Sequence, residues 1–230
     1  MRRSDPGARS ERDAARLALV EGWPVFVTVV VVGLTFGVLA RQAGLSIPEI
    51  AGFSALVFAG AAQFAMIQLL AGGAPVPLVV GTALLINLRH LLMATSLRSR
   101  FVGLPLWRRL ALAYFLTDES FAMAAGWYRR GGRGVAYYAT FATALFALWN
   151  TATLAGALAG AAIGDPRRLG IDFAITATFI GIVVLSVRRR GDAAVALAGA
   201  AIAAAVALAG APSVAVVAAG LVAPLLALRR

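Results

Sequence analysis

The chain has 230 residues, 61% of them hydrophobic, well above the ~45–50% of a soluble domain. Its 21 basic residues are all arginine and outnumber 10 acidic ones, for a formal charge of +11. Cysteine is absent, which excludes disulfides and thiolate metal sites.

The apolar residues are gathered into six to eight long runs, and no polar stretch is long enough to build a soluble domain. The fold class read from this pattern is all-α: a polytopic integral membrane helical bundle. The arginines fall between the runs, as the positive-inside rule requires of cytoplasmic loops. No aromatic-interleaved basic patch points to nucleic acid.

Residues 1–16 are charged and polar without the apolar core of a signal peptide. They read as a cytoplasmic tail before a single transmembrane domain over 17–230. Segment one covers 23–39; Trp23-Pro24 suits a helix start at the interface, and Gly33 and Gly37 are spaced for close helix packing. Ser46-Ile47-Pro48-Glu49 has the form of a capping box with proline in the first turn. Segment two, 50–70, contains Gly60 and Gln63. Gly73, Pro75 and Pro77 mark a turn before segment three, 76–97. Segment four, 110–128, carries Asp118 and Glu119, and segment five, 137–163, carries Trp149 and Asn150. Segment six, 171–187, opens with Asp172, and segments seven (193–209) and eight (213–228) are almost pure Ala, Val, Leu and Gly, read as scaffold or partner-facing helices.

No internal sequence repeat stands out, but charge suggests an unusual topology. If all eight segments cross from a cytoplasmic N-terminus, Arg98, Arg100, Arg108 and Arg109 fall on the wrong side. If segments two and four instead dip in and return, one from each face, those arginines move inside. The glycine- or charge-interrupted segments are then re-entrant or broken helices, the kind of element found at transporter midplanes. Full helices lining a cavity are the alternative.

The chemistry is concentrated in Asn87-Leu88-Arg89-His90, an amide, a guanidinium and the only histidine inside segment three. An arginine near a helix centre costs roughly 2.5–3.5 kcal/mol on insertion scales, so it needs a partner, water or the headgroups. The best partners are Asp118 and Glu119. Adjacent helical residues point about 100° apart, so one carboxylate pairs with Arg89 and the other is left for a proton or a solute. The competing reading is a structural ion pair. His90 is either a proton relay or a structural hydrogen-bond partner, and a lone histidine is no metal site. Gln63 and Asn150 either bind polar atoms of a solute or bond helices together. Gly60, flanked by alanines, allows close backbone approach at a helix break. The Gly156, Gly160, Gly164 series reads as packing. No HExxH, aspartyl-protease pair or Walker loop is present, so neither an enzyme nor a resident cofactor is expected.

With these residues the chain resembles the AzlC family of branched-chain amino acid permease large subunits. The resemblance rests on Gly33-Leu-Thr-Phe-Gly37, Ala43-Gly44-Leu45-Ser46, Phe58-Ala-Gly-Ala-Ala-Gln63-Phe64, Asn87-Leu-Arg-His90-Leu-Leu-Met93 and Thr117-Asp-Glu-Ser-Phe121, in that order. Trp149-Asn150, Gly164-Asp165-Pro166 and Gly170-Ile-Asp172-Phe173 continue it. It implies an ion-coupled or facilitated exporter of valine and related amino acids in a bacterial inner membrane, and coupling to an ion or proton gradient is the expectation for this chain. It also implies a small membrane subunit of the AzlD type as partner. The expected substrate- or proton-binding set is Gly60, Gln63, Asn87, Arg89, His90, Asp118, Glu119, Asn150 and Asp172. A different class of function, a structural subunit whose polar residues only assemble the complex, is the alternative.

Overall fold

The computed structural model describes residues 6–162, 187, 190–210, 215, 218, 219, 222 and 223. Every regular element among them is helical, and four helices are long and apolar enough to cross a bilayer. The chain is an all-α membrane protein. Asp172, the turn at 164–168, segment six apart from Val187, and most of segment eight lie outside the described residues.

The frame is a pair of long helices, α1 (Pro6–Gln42) and α8 (Ala136–Ala162). They run parallel. Gly22 sits against Phe141, Gly33 against Trp149 and Ala152, Gly37 against Thr153 and Ala157, and Gly160 against Val38. Small residues let the two backbones touch: a Cβ on Gly37 would overlap the Thr153 carbonyl, and one on Gly156 the Leu34 carbonyl. The expected helix start at Trp23-Pro24 is wrong, because α1 already runs from Pro6 and carries Pro24 in its interior. Upstream, Ala14 and Ala18 are buried in the core cluster, and this packing holds the helix together on the N-terminal side of the proline.

Segments two and four are each two helices with a short unwound link. Segment two is α2 (Ile47–Leu56) and α3 (Gly60–Ala71), and segment four is α6 (Leu106–Tyr114) and α7 (Asp118–Arg129). The predicted box starts α2: the Ser46 amide donates to Glu49 Oε2 at 2.7 Å and Ser46 Oγ accepts from the Glu49 amide at 3.4 Å. A second box breaks segment four. The Thr117 amide donates to Ser120 Oγ at 2.8 Å and Thr117 Oγ1 accepts from the Ser120 amide at 3.2 Å, so the local side chains outcompete helix continuation. Segment three is α4 (Val76–Asn87) and α5 (Arg89–Leu97), joined through Leu88, which keeps helical dihedrals. The remaining helix, α9 (Arg190–Leu208), corresponds to segment seven.

Contacts along the α1–α8 pair fold each broken segment into a hairpin. At the end marked by Glu21, the Arg130 guanidinium and the Tyr137 hydroxyl both reach Glu21 Oε2 at 2.6 Å. Here the approach to α6 meets the exit from α7: Arg100 lies over the Tyr128 ring at 4.9 Å, and Phe101 is 5.5 Å from Tyr138. Segment four therefore starts and finishes at this end. At the opposite end, near Arg41, Phe53 of α2 and Phe64 of α3 both pack on Phe36, at 6.1 and 5.4 Å. Phe58, in the link between them, reaches deeper, to Phe146 at 5.0 Å. The helix α4 packs back along α3, and Leu97 at the end of α5 joins Tyr128 and Tyr138. The two hairpins enter the bundle from opposite ends.

Candidate functional site between the hairpin tips

The tips meet in the middle of the bundle. The Tyr114 hydroxyl at the end of α6 donates to the Ala55 carbonyl at the end of α2. Phe58 of one tip and Phe115 of the other stack edge-on against Phe146, at 5.0 and 5.3 Å. Above this joint lies a cavity of about 420 Å³, walled by Thr28, Val29 and Val32 of α1, Leu145 and Trp149 of α8, and both hairpin tips. That is within the range of small-ligand sites.

Five of the nine expected site residues line this cavity: Gly60, Arg89, His90, Asp118 and Glu119. Arg89 reaches Asp118 across it, Nη2 to Oδ2, at 2.8 Å. Both side chains are only part-buried, 39% and 47% exposed, so the pair edges open space and is not sealed in a core. Asp118 and Glu119 occupy the first turn of α7, where a helix N-terminus favours negative charge. Glu119 lines the same cavity and makes no ion pair among the described residues. The carboxylates thus divide as their spacing predicts, one neutralising Arg89 and one free. They do so at the mouth of a half-helix rather than in the middle of a continuous one.

His90 shares the cavity with Arg89. Its Nδ1 lies 3.1 Å from the Asn87 carbonyl, which can only accept, so Nδ1 carries a hydrogen and donates it there. His90 also borders a second, more open cavity of about 410 Å³, lined with Asn87, Tyr114 and apolar residues of α2, α4 and α6. Asn87 belongs to that second space, where its Oδ1 has no partner among the described residues.

Gln63 and Asn150 line neither cavity. Gln63 is fully buried, and its Nε2 donates to the Phe53 and Ser54 carbonyls at 3.4 and 3.5 Å, joining α3 to the C-terminal turn of α2. Asn150 donates to Phe146 one turn back on its own helix, at 2.9 Å. Sequence reasoning overlooked Trp149 as a wall of the site and Tyr114 as the joint between tips. Thr117 and Ser120 carried a readable signal, since Thr-x-x-Ser with two acids between them is a helix-start pattern.

The chain matches the AzlC protein family over residues 24–163. It is 31% identical to a membrane protein of Archaeoglobus fulgidus over 218 residues, covering 92% of this chain and 93% of the relative. It is 30% identical to the inner membrane protein YgaZ of Escherichia coli over 173 residues, 73% and 71% of the two chains. A branched-chain amino acid transport protein, AzlC of Bacillus subtilis, is 26% identical over 164 residues, 70% and 63% of the two chains. No solved structure matches the chain.

Proposed function

Starting from the premise that this chain belongs to the AzlC family, we propose that it transports branched-chain amino acids out of the cell. The name of the Bacillus relative supports amino acid transport, and the names of the others support a membrane location. The observation that carries the reading is the cavity between two hairpin tips, with an Arg89–Asp118 pair on one wall and the unpaired Glu119 beside it. A zwitterion needs both signs of charge and a shaped apolar wall, and the cavity offers both. Val29, Val32, Phe58 and Leu145 supply the surface for a branched side chain. Broken helices with their ends turned to a central site are the usual architecture of secondary transport. A gradient of ions or protons is the proposed driving force, because the chain has no nucleotide-binding loop.

Charge supports the orientation. Arg98, Arg100, Arg109 and Arg130 gather at the Glu21 end, whereas Arg41 lies at the other. The Glu21 end is therefore proposed as cytoplasmic, with the hairpin of α6 and α7 entering from inside and that of α2 and α3 from outside. The family resemblance supports a small AzlD-type subunit as partner. Efflux of radiolabelled valine from membrane vesicles, with and without a pH gradient, tests the proposal. Gradient-dependent efflux supports it, and absence of flux in every condition removes it.

A further inference from the structure

A third cavity opens at the Glu21 end, apart from the space between the tips. It has a volume of about 140 Å³ and lies where the end of α5 meets α6 and α8. Its walls are apolar: Ala94 and Leu97 of α5, then Phe101, Ala113 of α6 and Tyr138 of α8. The Tyr138 hydroxyl already donates to the Leu112 carbonyl at 2.7 Å, so it asks for no polar ligand. A cavity of this size and lining suits a hydrocarbon group rather than water.

Two arginines line the same cavity. Arg98 comes from the single 3-10 turn after α5 and Arg109 from α6, and both are exposed. Neither makes an ion pair among the described residues, and the sequence has no acidic residue between Leu91 and Thr117. Their neighbours are engaged elsewhere: Arg100 lies over the Tyr128 ring at 4.9 Å and Arg108 over the Trp107 ring at 5.1 Å. The positive-inside rule accounts for arginines in this stretch. It does not account for two of them, from separate elements, brought to one apolar cavity. Val102, Leu106, Trp107 and Leu110 are exposed beside them, the mixture of a helix seated at the headgroup boundary of a leaflet.

We propose that this cavity is a site for an anionic phospholipid, its phosphate held by Arg98 and Arg109 and part of an acyl chain seated against Phe101 and Tyr138. Charge complementarity selects the occupant. A guanidinium matches phosphate oxygens with paired N–H donors. Positive charge with no acid nearby favours a headgroup of net negative charge over a zwitterionic one. A free phosphate would meet the arginines and leave the apolar walls empty. The bound lipid ties the end of α5 to α6, and so holds the base of the hairpin whose tip carries Asp118 and Glu119. This role is independent of the solute that the protein carries.

The test is native mass spectrometry of the full chain in detergent micelles, titrated with phosphatidylglycerol or with phosphatidylcholine of the same chain length. The wild type should retain one phosphatidylglycerol in preference to phosphatidylcholine, and inorganic phosphate should not displace it. Arg98→Gln combined with Arg109→Gln should weaken phosphatidylglycerol about tenfold or more, the loss expected for two charges near the membrane surface. Arg12→Gln combined with Arg16→Gln removes the same charge from α1 and should change nothing. Ala94→Phe keeps both arginines, fills the cavity and should also weaken the lipid. Melting in the same micelles separates lost binding from lost folding. Without lipid the Arg98 and Arg109 double variant should melt as the wild type does, and only the wild type should gain on adding phosphatidylglycerol. Equal losses in the two arginine pairs would mean that bulk charge alone attracts the lipid. Displacement by inorganic phosphate would make this a free-anion site, and unchanged binding in Ala94→Phe would remove the acyl-chain seat. Each of these results overturns the proposal.

Discussion

The Tyr114 hydroxyl donates to the Ala55 carbonyl, and this bond ties the last turn of α6 to the last turn of α2. The partners are 59 residues apart in sequence and belong to hairpins that enter from opposite ends. The joint fixes the floor of the cavity, because Phe58 and Phe115 on either side of it share Phe146. Tyr114→Phe keeps the ring stack and removes the bond. A single hydrogen bond inside a membrane protein contributes about 0.6–1 kcal/mol. The variant should therefore fold and melt slightly earlier, with valine flux reduced severalfold because the two tips are no longer held in register. Unchanged flux and unchanged melting would show that the rings alone hold the tips.

The α1–α8 interface sets the frame on which both hairpins hang. Gly37→Leu places a side chain where the Thr153 carbonyl already sits, and Gly156→Leu does the same at Leu34. Neither backbone can move without opening the pair, so both variants should lose several kcal/mol and yield little folded protein by size exclusion in detergent. Gly52→Ala is the control, because nothing lies within 4 Å of its Cβ position. It should match or exceed the wild type in melting temperature.

The break in segment four depends on the Thr117–Ser120 box. Thr117→Val keeps the shape and removes the cap, at a cost of about 1 kcal/mol. The variant should lower the melting temperature and reduce valine flux through misplacement of Asp118, whereas Thr117→Ser should retain both. Equal losses in the two variants would assign the effect to packing of the threonine methyl.

Much of this arrangement is legible in the sequence. The runs and the two interrupted segments follow from hydropathy, the Ser46 box from its Ser-x-x-Glu capping pattern, and the Arg89–carboxylate pairing from the cost of an ion in lipid. Their meeting point was not legible, because Tyr114 and Ala55 meet only after both hairpins fold, and a tyrosine hydroxyl bonded to a backbone carbonyl has no sequence signature. Gln63 and Asn150 show the limit from the other side. An amide among small residues looks the same whether it faces a solute or bonds a helix terminus, and here Gln63 bonds α2 and Asn150 its own helix. Pro24 misled for a related reason: proline favours helix starts, but flanking packing of Ala14 and Ala18 kept the helix continuous.

The hairpin topology is testable by thiol labelling, since the chain has no native cysteine. Gly103→Cys has open space around its Cβ, and Arg133→Cys lies in the turn between α7 and α8. Both should be shielded from an impermeant reagent added outside intact cells. Ala71→Cys, exposed at the end of α3, should react. Labelling at Gly103→Cys from outside would replace the hairpins with full crossings.

The most direct test of the account is valine efflux from vesicles carrying Arg89→Gln, compared with wild type at matched levels of inserted protein. The account predicts that efflux is abolished, because Asp118 loses its counter-ion and the cavity loses the guanidinium on its wall. Efflux at the wild-type rate would contradict it, since the ion pair between the hairpin and α5 would then have no part in moving the substrate.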